Sequence, residues 1–179
     1  MDAYLYLEKW NTFGRYLSYV LVGLGLLIII YHYLRLIFTR DYKIRYDYIN
    51  KNEIRSLWLS TLFIIFGIGV FMNTLVDEGE IIWLLVRVFV IVMLGLILGV
   101  IVSNLLKFYY PFYIEKRLRR LRYKPRRSPK TGKAMKLLSE EEEDVYLDEG
   151  MQAEENVFSV DYDVWIDEET GYTKIEKYA

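Results

Sequence analysis

The chain has 179 residues, is 54% hydrophobic and 17% aromatic, and carries 23 Lys and Arg against 24 Asp and Glu, for a net charge of −1. It has no cysteine, which excludes disulfides, thiolate zinc, iron–sulfur ligation and a cysteine nucleophile. The single histidine, His32, excludes a bis-histidine haem or a histidine-rich metal centre within one chain, and it lies inside an apolar run where a Ser-His-Asp triad is poorly placed.

The near-zero net charge is a cancellation between unlike segments, because the long apolar runs precede Leu106 and most charges follow it. Residues 1–15, with Tyr4, Tyr6, Trp10 and Phe13, suit a short interfacial segment. The run 16–38 is predicted as a first transmembrane helix, long enough to cross about 30 Å of hydrocarbon at about 1.5 Å per residue. It is too long for a signal peptide, and neither a basic segment before it nor a small-residue cleavage site after it is present. Residues 39–56 are polar and basic and read as a loop.

Transmembrane helices are predicted again at 57–76 and 81–106, separated only by the acidic turn 77–80, so these two form a tight helical hairpin. Arg40, Lys43, Arg45, Lys51 and Arg55 populate the first loop, and a further basic cluster follows the third span, whereas the turn 77–80 has no Lys or Arg. The positive-inside bias therefore puts the N-terminus and the turn outside, and the loop and C-terminal tail in the cytoplasm.

With these boundaries no span contains Asp or Glu, which argues against a proton or sodium relay within the chain. Arg87 is the one intramembrane charge well inside a span; it either snorkels outward or pairs with Asp77 or Glu78, or it meets a carboxylate on a partner subunit. His32 and Arg35, near the cytoplasmic end of the first span, are expected to snorkel or touch headgroups. Gly23 and Gly25, Gly67 and Gly69, and the GxxxG pair Gly95 and Gly99 place small residues in every span and predict helix packing, internal or with other membrane subunits.

Residues 107–125 read as a basic juxtamembrane helix, with Pro111 expected to kink or end the spanning helix at the membrane surface. Lys116, Arg117, Arg119, Arg120, Arg122 and Lys124 are its candidates for contact with anionic lipid headgroups or an acidic partner, and their place directly after a span disfavours nucleic acid. In the tail, 126–179, Ser139 and Glu142 fit a capping box that opens a helix with Val145, Tyr146 and Met151 on its apolar side. Phe158, Val160, Tyr162, Val164 and Ile166 alternate with polar residues and Trp165, a half-buried strand that "DEETG" turns back into a hairpin.

Two short stretches, "SPKTG" at Ser128–Gly132 and "DEETG" at Asp167–Gly171, repeat one spacing. Together with Met135, Glu154, Glu155 and the run Ser159 to Trp165, the tail resembles the zinc-ribbon-like tails of bacterial membrane-anchored proteins, some of them TPM-domain-associated. The resemblance implies a ribbon-shaped α+β tail and assigns Ser128, Thr131, Asp167 and Thr170 to the four cysteine positions. Two threonines, a serine and an aspartate are a poor set for tetrahedral zinc, so neither metal nor other cofactor is expected. Loss of a metal removes folding free energy, and Phe158, Val160, Tyr162, Val164 and Trp165 are expected to compensate by docking on a partner.

The fold class expected is thus a three-span α-helical membrane protein with a small metal-free ribbon-like tail. The expected function is a non-catalytic accessory or scaffolding subunit of a bacterial inner-membrane complex. The alternative is a transport or energy-coupling component, with Arg87, His32, Asn73 and Asn104 along a path.

Overall fold

The computed structural model describes residues 2–75, 81–157 and 160–178, with the side chains of 2–7 and 81 left out. The chain is mostly helical, with a small antiparallel sheet near its C-terminus, and divides into two compact units, Met1–Leu118 and Arg119–Ala179. The expected turn 77–80 and Phe158 lie outside the described residues.

The first unit is built on α1 (Asp2–Phe38), α2 (Tyr42–Asn73) and α3 (Ile81–Asn104), and α3 continues through a π-helical turn at Leu105–Tyr109 into α4 (Tyr110–Arg122). Three stretches are long and apolar enough to cross a membrane: Glu8–Phe38, Tyr42–Asn73 and Ile82–Arg122. No proline precedes Pro111, so nothing interrupts the backbone ladder of the first three helices.

Three boundaries differ from expectation. Residues 2–15 are not a separate element but the first turns of α1, continuous with the first span. The stretch 39–56, expected as a loop, is helical from Tyr42 onward: the Asp41 carboxylate caps α2 by accepting the Ile44 N–H at 3.0 Å, and only 39–41 connect the helices. Hydropathy marks where a helix is apolar, not where it begins, and this polar start is still helix-forming.

Pro111 does not end the helix either. Its ring crowds the carbonyl one turn back and it offers no N–H, but the wider π turn just before it shifts the bonding, with the Tyr110 N–H reaching the Leu105 carbonyl. The helix then runs on to Arg122.

Helix α2 is central, packing along α1 over most of its length and along α3 to a lesser extent. Gly25 and Gly67 make the α1–α2 approach possible. A Cβ on Gly67 would lie 2.8 Å from Val22 Cγ2 and 3.0 Å from the Val22 nitrogen, and one on Gly25 would lie 2.7 Å from Ile64 Cγ1. At the same level the Ser60 hydroxyl donates across the helix pair to the Gly25 carbonyl at 2.8 Å.

The other expected packing glycines matter less. Gly69 faces Ile91 at 3.0 Å, while Gly95 and Gly99 reach Ile65 and Leu62 only at ordinary contact distances of 3.7 and 4.0 Å, and Gly23 faces nothing within 4 Å. Gly67→Leu should therefore cost about 1–3 kcal/mol or more of bundle stability by overpacking. Gly23→Leu should be near neutral; thermal unfolding in detergent of the two variants side by side checks the contrast.

In the second unit β1 (Lys136–Leu137), β2 (Asp161–Asp167) and β3 (Tyr172–Tyr178) form an antiparallel sheet in the order β1-β2-β3, with Leu137 opposite Trp165 and Val164 opposite Ile175. The acidic segment between β1 and β2 makes two short helices instead of one. Its capping box is formed, the Ser139 N–H donating to Glu142 at 3.1 Å, but α5 (Glu140–Glu143) is brief. Asp148 then caps α6 (Glu149–Asn156) through the Met151 N–H at 2.8 Å. This second cap ends the first helix early and turns Leu147 inward, leaving Val145 83% exposed where an apolar helix side was expected.

Strand β2 is covered on both faces, not half-buried. Tyr162 and Val164 pack with Leu147, Leu138, Met151 and Val160, and on the opposite face Asp163, Trp165 and Asp167 are buried as well. Tyr162, Val164 and Trp165, at 5%, 0% and 2% exposure, are thus not available as a docking surface. The fold uses them as its own core, and Val160 lies partly buried beside them.

Candidate functional site

The two stretches of like spacing fold into loops of like construction. In the first, the Gly132 N–H bonds to the Ser128 carbonyl at 2.9 Å and Gly132 takes φ 71°. In the second, the Gly171 N–H bonds to the Asp167 carbonyl at 2.8 Å and Gly171 takes φ 67°. Each loop turns on a left-handed residue that only glycine adopts cheaply.

The loops bring Ser128, Thr131, Asp167 and Thr170 together. The hydroxyls of Thr131 and Thr170 both donate to Asp167 Oδ2 at 2.9 Å, and the Ser128 side chain adds to the stabilisation of the same carboxylate. Asp167 Oδ1 accepts the Glu169 N–H at 3.1 Å. The hydroxyl oxygens in turn accept backbone N–H groups: Ser128 Oγ from Lys130 and Thr131 at 3.2 and 3.3 Å, Thr131 Oγ1 from Lys133 at 3.3 Å, and Thr170 Oγ1 from Tyr172 at 3.4 Å. A single carboxylate thus ties the two loops together through charge-assisted hydrogen bonds and needs no cation between them. Among the described residues no group of three or more His, Cys, Asp and Glu side chains is placed to hold a metal.

Next to this cluster runs a buried arginine network that the sequence reading did not single out. Arg126, 4% exposed, sends Nε to Glu176 Oε1 at 3.0 Å and Nη2 to Glu176 Oε2 at 2.6 Å and to the Tyr178 hydroxyl at 2.9 Å. Its guanidinium lies 4.8 Å from the centre of the Trp165 ring. Arg122 grips Asp163, with Nε at 3.0 Å from Oδ2, and also pairs with Asp161. The only sequence signal for these pairs was the alternation of acids and bases between the end of the basic helix and β2–β3.

The tail's carboxylates are tuned in opposite directions. Donation by Ser128, with Thr170 and Thr131, holds Asp167 down to about 2. Burial pushes Glu143 up to about 7, against the pull of the Val164 N–H it accepts at 3.2 Å. Asp167 has a folded value below its unfolded one, so the stability it lends is present above about pH 4 and lost as pH falls through that depressed value. Glu143 works the other way: its contribution is complete below about pH 4.3 and lost as pH rises toward neutrality. The tail should therefore be most resistant to unfolding at weakly acidic pH. Glu143→Gln should remove the decline on the alkaline side and Asp167→Asn the decline on the acid side, read by hydrogen exchange of β2–β3 across pH 3 to 8. An unchanged alkaline limb in Glu143→Gln would contradict the assignment.

Within the helical unit a second polar cluster forms around Glu53, 1% exposed. Glu53 Oε1 accepts the Tyr110 hydroxyl at 2.7 Å, and Oε2 meets His32 Nε2 at 3.3 Å and an Arg117 Nη2. His32 does not snorkel, as expected, but is buried at 1% exposure with its ring stacked on Tyr48 at 5.3 Å, while the guanidinium of Arg35 lies 4.2 Å over the Tyr48 ring. The stretches 16–38, 57–76 and 81–106 still hold no carboxylate, but α2 begins earlier than hydropathy implied and so carries Glu53 within the one long helix Tyr42–Asn73. The signal that could have found it is helical spacing: Ile49, Glu53, Ser60 and Gly67 fall on one buried face of α2.

The remaining expected residues separate. Of the basic set, Arg117 and Arg122 are committed to Glu53 and to Asp161 and Asp163, whereas Lys116, Arg119, Arg120 and Lys124 have exposed side chains. Arg87 is half-buried, and its Nη1, like Asn73 Oδ1, is a buried atom without a hydrogen-bond partner among the described residues. Its expected partners Asp77 and Glu78 lie outside those residues. The path expected through Arg87, His32, Asn73 and Asn104 does not form as one cluster, since His32 joins Glu53 near the end of α1 while Asn73 closes α2 and Arg87 lies near the start of α3.

Fold and sites together define a mostly helical protein with three helices able to cross a membrane and a small antiparallel sheet tied by one carboxylate. Comparison with known protein families, curated proteins and solved structures gives no match.

Proposed function

We propose that the chain is a non-catalytic accessory or scaffolding subunit of a bacterial inner-membrane complex, packing against other membrane subunits through its transmembrane helices. The N-terminus faces outward and the tail is cytoplasmic, a reading supported by the distribution of Lys and Arg around the spans. The tail is a ribbon-like module in which the Asp167 hydrogen bonds stand where a metal would otherwise join two loops. This reading leans on the paired turns at Gly132 and Gly171 and on the convergence of Ser128, Thr131 and Thr170 on Asp167.

One observation carries the scaffolding reading. Among the described residues, the side-chain clusters around Asp167, Arg126 and Glu53 spend their polar groups on one another and so build rigid structure. The surface left for partners is the perimeter of the helices, above all α3, none of whose described side chains is buried. Purification in mild detergent with mass spectrometry should recover defined membrane subunits in fixed ratio with this chain. Recovery solely as a monodisperse monomer overturns the reading.

A second reading, transport or energy coupling, is favoured by Glu53 and His32, a buried carboxylate and imidazole in two adjacent candidate spans. It predicts that Glu53→Gln leaves assembly intact and abolishes a flux. Intact flux in that variant returns the cluster to a structural role.

A further inference from the structure

Helix α4 sorts its cations onto two faces. Arg117 turns inward to Glu53, in company with the buried Ile114 and Leu118. Phe112 and Tyr113, 71% and 75% exposed, and then Lys116, Arg119 and Arg120, all exposed, follow one another at three- and four-residue steps and make one outward ridge. No ion pair or hydrogen bond engages the side chains of Lys116, Arg119 or Arg120 among the described residues. The ridge is therefore graded along its axis, aromatic rings first and unpaired cations about one to two turns beyond, some 5–10 Å at about 1.5 Å per residue.

That order matches a bilayer surface. Amphipathic rings sit at the boundary between acyl chains and headgroups, and cations one or two turns further out reach the phosphate layer. The ridge lies in the last part of the candidate span Ile82–Arg122, directly after its apolar portion, which puts the rings at the end of the hydrocarbon-facing part of the helix.

We propose that the outward ridge of α4 is a binding surface for anionic phospholipid headgroups, with Lys116, Arg119 and Arg120 as the contacting cations and Phe112 and Tyr113 as the interfacial anchors. Arg117 and Arg122 take no part, because their charges are already neutralised within the protein. The surface rests on the membrane-spanning reading of the helices but not on any partner subunit.

The full-length chain, in micelles doped with equal amounts of phosphatidylglycerol and phosphatidylcholine, is compared by native mass spectrometry with the triple variant K116Q/R119Q/R120Q. Each cation near the surface is worth roughly a fivefold preference, so the intact ridge should prefer the anionic lipid by up to about a hundredfold. The triple variant should lose that preference, the charge-conserving K116R/R119K/R120K should keep it, and raising salt to 1 M should weaken it in the intact chain. Equal retention of the two lipids by the intact chain, a preference unchanged in K116Q/R119Q/R120Q, or binding of an added acidic polypeptide or RNA in place of phosphatidylglycerol overturns the proposal. Alkaline extraction from vesicles separates the two levels. A chain washed out of the bilayer defeats the spanning reading and this surface with it, whereas an inserted chain indifferent to lipid charge defeats the surface alone.

Discussion

Arg126→Ala is expected to unfold the tail while leaving the helical unit intact. The guanidinium is a buried node: it donates to both Glu176 oxygens, to the Tyr178 hydroxyl, and through Nη1 to the Leu121 carbonyl at 3.0 Å, and it lies over the Trp165 ring. Truncation removes the two-pronged partner of the Glu176 carboxylate, 3% exposed, and leaves it Lys174, whose Nζ lies 2.8 Å from Oε1. Burial by itself would raise the Glu176 carboxyl, and it is Arg126, with Lys174 and Tyr178, that holds it below its ordinary value. Breaking a buried pair from one side typically costs about 3–5 kcal/mol. A module of this size has only about 3–9 kcal/mol in total, so the loss removes most or all of it. Arg126→Lys should rescue poorly, since an ammonium cannot reproduce the two-pronged grip on Glu176. Hydrogen exchange of the full chain in detergent reads the result as lost protection in β2 and β3 with α1 and α2 unchanged; retained protection in Arg126→Ala would show that the network is ornamental.

The second large effect is an asymmetry at Glu53. Arg117→Ala strands a carboxylate that is 1% exposed, leaving it with only the Tyr110 hydroxyl and His32, and should cost about 3–5 kcal/mol of bundle stability. Glu53→Gln keeps an acceptor for Tyr110 and removes the buried charge, while Arg117, with its side chain 40% exposed, can turn to water. Its cost should be nearer 1–2 kcal/mol, that of a weakened hydrogen bond. The double variant should then be more stable than Arg117→Ala alone, because no unpaired charge remains buried. Thermal unfolding of the three variants in one detergent decides the matter, and equal losses in Arg117→Ala and Glu53→Gln would show that Glu53 is not held as a buried anion.

How far the sequence could be read depends on the range of each interaction. The three apolar stretches were legible because spanning length and hydropathy are properties of consecutive residues, and the structure has three helices that meet both. The capping box at Ser139 and the β2–β3 turn were legible for the same reason. The start of α2 was not, because Asp41 signals it only through a side-chain cap, and polarity was mistaken for a loop. That one shift hid Glu53, whose importance depends on His32, Tyr110 and Arg117, all more than twenty residues away along the chain.

The tail shows the same division. Spacing and the resemblance singled out Ser128, Thr131, Asp167 and Thr170, but left the task of holding the two loops to an outside partner. Only the tertiary arrangement makes Asp167 the common acceptor of the Thr131 and Thr170 hydroxyls, and only there do Tyr162, Val164 and Trp165 become core instead of interface. Length, hydropathy and turn chemistry are local and were determined by the sequence itself. The pairing of buried charges was decided by the fold, because a carboxylate's partner is whichever donor the packing carries to it, and that distance is not written in residue order.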